Sequence, residues 1–407
     1  MIMVNKFHPA VRLWPIWSVC AVLVAAQEAV ADFTSGSLVV SVIGDGVTTV
    51  GTTAVPITLR EFTTAGVATG MEVPLPTVAA GANYAIAGNV TSTSFGFLRR
   101  SADQRYLTMA GANADAGATG FGFSTSSFPN RVIARVDSTG IVDTSTRFAG
   151  NGTTPRSVVS TNGTDLWWSS DTGSDIGGVN YVTLGSATKG TRIVNNQTAP
   201  LNTRNLGIFG GQLYASSNVA TPTSPAVSFR GVYSLGSGLP TVGPAAGTII
   251  VGGGASNSGI IDSGYDFFFA DANTIYVADD DTATPVTGGL QKWLFDQGSW
   301  SKIWTAVPDG ATGMRGLTGL VNGSSVQLYG ITAVASGNGA NSLVSLSDSL
   351  TGTTAPSFST LATADANYVF RGVALAPVPE PSALGLGLAG LAVMGSIGRW
   401  RAEYRRH

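Results

Sequence analysis

A recurring unit of short β-strands limits the possible folds of this chain more than any other feature of the sequence. Each unit reads as a strand, a polar turn, a second strand, a Gly-rich loop and a third strand. Residues 212–215 and 274–278 are examples of the second strand. Polar turns such as residues 162–165, placed between apolar runs, are typical of β-hairpins. A repeat built only from strands predicts a radial or stacked β architecture rather than an α/β fold.

An arginine in the first strand of most units sets the period of this repeat. The separations run from 48 to 62 residues, somewhat longer than the repeats of familiar propellers. Asp266 takes the equivalent place in the one unit without an arginine. The arginines are Arg100, Arg156, Arg204, Arg315 and Arg371.

The two ends of the repeat region complete each other. Residues 369–375 read as a lone first strand, whereas residues 37–43 and 55–62 read as later strands with no first strand before them. Pairing these segments completes one unit and closes a ring. The sequence therefore predicts an all-β propeller of six blades, with seven as the next choice. Stacked β-sandwiches and a parallel β-helix are the alternative architectures.

The region from residue 32 to residue 376 contains neither histidine nor cysteine. Cys20, His8 and His407 are the only such residues in the chain. This region therefore has no Ser-His-Asp or Cys-His nucleophilic system. It also lacks the imidazole and thiolate ligands on which most zinc, copper and haem sites depend. Since it cannot form a disulfide, its stability must come from packing.

The composition is that of a loop-rich β protein with few charged residues. Charged residues make up 11% of the chain, and the formal net charge is −2. Ordinary soluble domains contain about 25% charged residues. A nucleic-acid partner is not expected, because it would require a basic face.

The first 31 residues predict a signal peptide. Lys6 and Arg12 supply its positive region, and residues 13–26 form its apolar region. Ala29 and Ala31 flank Val30 in the small-x-small pattern that precedes cleavage. We therefore expect an exported body that spans residues 32–376.

Three features follow one another in residues 377–407. Pro379, Glu380 and Pro381 come first, an apolar run fills residues 383–398, and a basic end closes the chain with Arg399, Arg401, Arg405 and Arg406. This pattern resembles the PEP-CTERM sorting signal of Gram-negative bacteria that make exopolysaccharide. The resemblance implies that a membrane protease of the exosortase type recognises the Pro-Glu-Pro segment and releases the protein outward.

The dimensions of the apolar run agree with a weak membrane anchor. Its sixteen residues would span about 24 Å as a helix, less than the roughly 30 Å of a hydrocarbon core. The arginines that follow favour the cytoplasmic side. We therefore expect transient anchoring at the inner membrane, followed by location at the cell surface or outside it. The alternative is a buried core helix with a basic tail.

The five arginines are the leading candidates for a ligand site. If they lie at the start of the innermost strands, their guanidiniums converge at one mouth of the channel. Guanidiniums bind carboxylates and phosphates through paired hydrogen bonds, so an anionic exopolysaccharide or a uronic acid is the expected ligand class. The alternative, which the regular recurrence favours, is that each arginine tethers its blade to a carboxylate or carbonyl of a neighbouring blade.

Asp279, Asp280 and Asp281 form a weak candidate for a Ca²⁺ site. Calcium binds several hard oxygens on flexible loops, but no Asp-x-Asp-x-Asp-Gly loop is present. A solvated loop is the favoured interpretation. Apart from this candidate, no cofactor or metal is expected.

These observations favour an exported, exosortase-processed and non-catalytic protein that binds or scaffolds the exopolysaccharide of a biofilm matrix. The alternative is a carbohydrate-active enzyme, a glycosidase or lyase that uses carboxylates. No two acidic residues stand out by motif, so no catalytic residue is assigned.

Overall fold

The structure is a computed structural model, and within its described residues all regular structure is β-strand. It describes residues 32–380 except 49–50, 124–125, 151, 172–176, 196–199, 219–229, 253–260, 262, 282–287, 311–312 and 334–339. No helix in this part of the chain has the length and apolar character needed to cross a membrane. The predicted signal peptide, including Ala29 and Ala31, the apolar run and the terminal arginines lie outside the described residues.

The described residues form 24 strands. In chain order they are β1 (Leu38–Ile43), β2 (Ile57–Phe62), β3 (Ala68–Pro74), β4 (Arg99–Arg100), β5 (Tyr106–Ala112), β6 (Asn130–Asp137), β7 (Val142–Ala149), β8 (Pro155–Ser160), β9 (Asp165–Ser170), β10 (Gly178–Thr183), β11 (Thr191–Asn195), β12 (Thr203–Phe209), β13 (Gln212–Ser217), β14 (Gly231–Leu235), β15 (Gly247–Gly252), β16 (Gly264–Asp271), β17 (Thr274–Asp279), β18 (Gly289–Asp296), β19 (Ser299–Ala306), β20 (Met314–Asn322), β21 (Ser325–Thr332), β22 (Ser342–Ser349), β23 (Ser359–Thr363) and β24 (Val369–Leu375).

These strands form six four-stranded antiparallel sheets, the blades of a propeller. Blade 1 has the order β24-β1-β2-β3, and blades 2 to 6 are β4–β7, β8–β11, β12–β15, β16–β19 and β20–β23, each in chain order. The first strand of each blade packs against the first strands of neighbouring blades around a central channel. We call the end of the channel where these inner strands begin the entry mouth, and the opposite end the exit mouth. The prediction of a six-bladed all-β propeller is confirmed.

Blade 1 closes the ring with strands from both ends of the body. Strand β24 pairs antiparallel with β1, so that Leu38 lies opposite Leu375 and Ile43 lies opposite Val369. All residues of both strands are buried. Closure by terminal strands, predicted from the sequence, is confirmed.

The sequence predicted three strands for each unit, whereas every blade has four. The missed strand is the outermost one, which has a neighbour on only one side. Most residues of β3 and β23 are exposed or half-buried. An exposed edge strand does not need the alternation of apolar and polar residues that reveals the inner strands.

Hydrophobic clusters fill the spaces between neighbouring blades. The adjacent residues Trp167 and Trp168 of β9 show how one strand serves two clusters. Successive side chains of a strand point to opposite faces, so Trp167 packs with blade 4 and Trp168 packs with blade 2. Trp168 stacks on Phe148 with the ring centres 4.4 Å apart.

Candidate functional site

Buried serines of the second strands define one equivalent position near the start of the inner strands. Ser169 Oγ accepts a hydrogen bond from Ser157 N at 3.2 Å and donates one to Arg204 O of the next blade at 2.8 Å. Ser216 makes the same two bonds to Asn205 N and Tyr265 O. Each serine thus joins two neighbouring blades. It accepts a hydrogen bond from the residue that follows the equivalent position in its own blade, and it donates one to the residue at the equivalent position in the next blade. The arginines at this position are Arg156, Arg204, Arg315 and Arg371.

Tyr265, rather than Asp266, occupies this position in blade 5. Asp266 corresponds to Ser157 instead: its Oδ2 accepts from Leu317 N at 2.8 Å, as Ser157 Oγ accepts from Leu206 N at 3.1 Å. The sequence analysis therefore assigned the neighbouring residue, Asp266, to this position. It did so because the other blades carry a charged residue there, whereas blade 5 carries a tyrosine. An alignment of residues 264–266 with residues 203–205 would have found Tyr265.

Arg100 does not share this position, which Gly96 holds in blade 2. Ser41 Oγ donates to Gly96 O at 2.6 Å, the bond that marks the position in the other blades. A Cβ on Gly96 would lie 3.0 Å from Cβ of Arg371, so a larger residue would crowd that arginine. Arg100 lies four residues further along the chain, near the exit mouth, and its regular spacing from Arg156 does not reflect a repeat.

We call Arg156, Arg204, Arg315 and Arg371, together with Tyr265, the arginine cluster. The Tyr265 ring lies between two of these arginines. The guanidinium carbon of Arg204 is 4.7 Å from the ring centre, and that of Arg315 is 5.7 Å from it. Arg315 also forms a buried ion pair, with its Nε 2.8 Å from Asp280 Oδ2. The cluster therefore combines cation–π contacts with the ion pair of Arg315 and Asp280.

Two of the arginines also bind the backbone of a neighbouring blade. Arg156 Nη1 donates to Asn202 O at 3.1 Å and to Thr203 O at 2.9 Å. Arg371 Nη2 donates to Val90 O at 2.7 Å. These bonds are the tethers that the architectural alternative predicts. Arg204 has no such bond to another described residue.

The electrostatic environment disfavours the charges of the cluster. Burial lowers the pKa of Arg156 to about 9, and the adjacent Arg204 charge lowers it further, while Asp171 acts in the opposite direction. Burial likewise lowers the pKa of Arg371 to about 9, with a contribution from Arg315. Both side chains still carry a full charge at neutral pH. The cluster therefore holds like charges close together with incomplete compensation.

Part of the donor capacity of the cluster is unused among the described residues. The Nε atoms of Arg156 and Arg204 are buried without a hydrogen-bond acceptor, and the two residues are only 4% and 9% exposed. Asp171 Oδ1 is buried without a donor in the same part of the chain. Buried polar groups normally have partners, so the two Nε atoms are donors still available for a hydrogen bond. No pattern in the sequence marks Asp171 as part of a site.

Two of the three predicted calcium ligands, Asp279 and Asp280, accept hydrogen bonds from protein donors. Asp279 Oδ1 accepts from the backbone of Ser263 and Asp281, and its Oδ2 accepts from Gln291. Asp280 accepts from Ser263 and binds Arg315. Within the described residues, no group of three or more acidic, histidine or cysteine side chains is arranged to hold a metal ion.

The chain leaves blade 1 at the exit mouth and remains in contact with the body as far as the structure describes it. Val378 N donates to Gln104 O at 2.9 Å in the first turn of blade 2. Glu380 forms an ion pair with Arg105 in the same turn. Pro381 lies outside the described residues. The first part of the Pro-Glu-Pro segment thus lies on the face opposite the arginine cluster.

A comparison with known protein families matches residues 377–402 to the PEP-CTERM protein-sorting motif. The chain carries this sorting motif. The PEP-CTERM motif implies export, processing by an exosortase, which is a membrane protease, and transient membrane anchoring before release at the surface. No curated protein sequence matches the chain.

Solved structures resemble the body in part. A candidate 6-phosphogluconolactonase from Bacteroides uniformis has a TM-score of 0.42 and 14% identity, over 81% of this chain and 83% of its own. The WD40 propeller domain of Doa1 has a TM-score of 0.35 and 14% identity, over 69% and 73% of the two chains. An oligogalacturonate lyase in complex with manganese has a TM-score of 0.38 and 13% identity, over 71% and 72%.

Proposed function

We propose that this protein is a non-catalytic binding component of an extracellular polysaccharide matrix, and that it holds acidic groups of the polymer at the arginine cluster. The observation that carries this proposal is the pair Arg156 and Arg204, two adjacent buried guanidiniums whose Nε atoms lack acceptors among the described residues. The PEP-CTERM motif supports a role outside the cell.

An acidic group would complete the hydrogen bonding of this pair. A carboxylate or sulfate oxygen accepts two or more N–H groups, and guanidiniums bind such groups in a planar, paired geometry. The negative charge would also reduce the repulsion between Arg156 and Arg204. Because this binding is electrostatic, we expect it to weaken as the salt concentration rises.

The positions of the carboxylates support binding rather than hydrolysis. A glycosidase needs two carboxyl groups across the scissile bond, one to donate a proton and one to attack or to activate water. Near the channel, Asp280 is bound to Arg315, Asp266 is bound to Arg99, and Asp171 raises the pKa of Arg156. Each of these carboxylates already acts on an arginine.

The proposal can be tested with Arg204→Met, which removes a guanidinium that makes no described hydrogen bond. We expect the purified protein to bind an acidic polysaccharide such as polygalacturonate at low salt, and the variant to bind it at least tenfold more weakly. One charge-assisted hydrogen bond, at about 1.5–3 kcal/mol, corresponds to a loss of this size or larger. Binding is measured by surface plasmon resonance with the protein immobilised.

Arg135→Met is the matched control, since it removes one positive charge from strand β6, where Arg135 pairs with Asp143 at 3.3 Å. Equal losses in both variants would show that only net charge matters and would contradict the proposal. Reducing-end or lyase product analysis of the same samples tests the catalytic alternative. Release of oligosaccharides by the wild type would overturn the non-catalytic assignment.

A further inference from the structure

The exit mouth of the channel contains a cavity that is separate from the arginine cluster. Its volume is about 310 Å³, and the inner strands of all six blades contribute to its wall. Small-molecule sites begin at roughly 300 Å³. The cavity is therefore large enough for one or two sugar-sized rings and too small for a folded partner.

One cation of this cavity lacks a counter-ion among the described residues. Arg99 and Arg100 both line the wall, but Arg99 forms a buried ion pair with Asp266. Arg100 donates only a long hydrogen bond of 3.3 Å, from Nη1 to Ala376 O. Burial also lowers the pKa of Arg100. The cavity thus presents one positive charge, which suits a ligand with a single carboxylate.

The rest of the wall combines apolar surfaces with backbone polar groups. Phe209, Phe268 and Ile208 provide the apolar part. Each inner strand is the terminal strand of its sheet, so the backbone N–H and C=O groups of its other edge face the channel. Such a wall fits a ring that has an apolar face for aromatic contact and hydroxyl groups for the strand edges.

We propose that the exit-mouth cavity binds a single hexuronate unit, a sugar ring with one carboxylate, and that Arg100 binds the carboxylate. This site goes beyond the polymer-binding role proposed above, because it shares no residue with the arginine cluster. It would accept a free sugar acid or a chain end, since the cavity has room for one or two rings.

The test is isothermal titration of the purified full-length protein with D-glucuronate, glucose and benzoate. Glucuronate is expected to bind at least tenfold more tightly than glucose, because one charge-assisted hydrogen bond to the carboxylate is worth about 1.5–3 kcal/mol. It is also expected to bind more tightly than benzoate, which lacks hydroxyl groups. Equal binding of glucose, or tighter binding of benzoate, would overturn the assignment.

Two single variants separate this site from the arginine cluster. Arg100→Met is expected to weaken glucuronate binding at this site at least tenfold, whereas the charge-matched control Arg135→Met leaves it unchanged. Arg204→Met tests the arginine cluster and is expected to affect only binding at the entry mouth. Thr318→Phe, which places a ring in the cavity from strand β20, should also abolish binding and serves if Arg100→Met does not fold. Unchanged binding in Arg100→Met, or a loss only in Arg204→Met, contradicts the exit-mouth site; the second result would still agree with polymer binding at the entry mouth.

Discussion

Two buried charged clusters of the ring differ in how far their hydrogen-bond donors are satisfied. Between blades 5 and 6, Lys292 Nζ lies 2.8 Å from Asp348 Oδ2 and donates to Ser349 O and Gly352 O at 2.6 and 2.8 Å. The Tyr276 hydroxyl donates to the same carboxylate at 2.6 Å. Burial, followed by this contact with Asp348, raises the pKa of Tyr276 above its ordinary value.

In the arginine cluster, by contrast, the Nε atoms of Arg156 and Arg204 have no acceptor among the described residues. Lys292 has a carboxylate and two carbonyls around its three donor hydrogens, whereas Arg204 has only the face of Tyr265 among the described residues. A buried charge with every donor satisfied fixes the packing of two blades. A buried charge with unused donors is held by its neighbours at a cost in stability, and such sites are typical of ligand binding.

The largest expected effect comes from breaking the satisfied cluster. Asp348→Ala leaves the Lys292 side chain, which is 0% exposed, without its counter-ion. Removing one partner of a buried ion pair costs about 3–5 kcal/mol. We therefore expect the free energy of unfolding, measured by urea denaturation, to fall by this amount.

A double variant distinguishes loss of the pair from loss of packing. Replacing a buried ion pair by apolar residues of similar size is often neutral, so Lys292→Met combined with Asp348→Leu should recover much of the stability. If the double variant is less stable than Asp348→Ala, the cost lies in the shape of the interface, and the contrast with the arginine cluster loses its electrostatic basis.

The second prediction compares two buried arginines. Arg131 is 0% exposed and donates to the carbonyls of Thr153, Phe128, Asn130 and Phe123. Arg131→Met leaves several buried acceptors unpaired at about 1–3 kcal/mol each, so we expect a loss of stability of roughly 3 kcal/mol. Arg204→Met should cost less than about 1 kcal/mol, because the buried cation–π contact that it breaks is offset by the repulsion from Arg156 that it removes. Equal losses in urea denaturation would show that Arg204 is also architectural.

Arg131 and Arg204 also show what the sequence could predict. The strand periodicity and the need to close the ring predicted the blades, because buried strands require a regular apolar pattern. Hydrogen-bond partners of a guanidinium come from distant segments and leave no local pattern. The sequence therefore identified the arginines of four blades but missed Tyr265 and placed Arg100 with them by spacing alone.

The sorting motif at the end of the chain could be predicted because it is a short local pattern. The PEP-CTERM motif was found because Pro379, Glu380 and Pro381, an apolar run and a basic end follow one another directly. The exit-mouth cavity could not be found in this way, since the inner strands of all six blades line it. A motif of consecutive residues can be recognised in a sequence, whereas this cavity is formed by distant residues that meet only when the ring closes.

The third prediction concerns the pH dependence of the arginine cluster. Its folded-state pKa values of about 9 for Arg156 and Arg371 lie below the unfolded value of 12.5. The charged forms therefore penalise folding fully below pH 9, and the penalty declines as the pH rises from 9 towards 12.5. A bound anion offsets that penalty, so stabilisation by sulfate should be constant from pH 6 to pH 8 and decline above about pH 9.

Thermal unfolding with and without sulfate measures this effect. At a sulfate concentration a hundredfold above its dissociation constant, the stabilisation is about 2.7 kcal/mol. Arg204→Met is the control, since it should respond less at every pH. A decline between pH 6 and pH 8 would contradict the prediction, because residues 32–376 contain no histidine to titrate there. Undiminished stabilisation above pH 10 would also contradict it.

The smallest effect is expected where charges meet in water, at the contact between Arg105 and Glu380. Their side chains are 32% and 65% exposed, and exposed ion pairs contribute little to stability. Arg105→Ala should leave the melting temperature of the full-length protein unchanged. Hydrogen exchange at the amide of Val378, which donates to Gln104 O, should become faster, because the adjacent ion pair no longer holds the segment.

Arg135→Ala is the control, and high salt should have the same effect on the wild type. A clear drop in melting temperature would place this ion pair with the satisfied buried charges of Lys292 and Asp348.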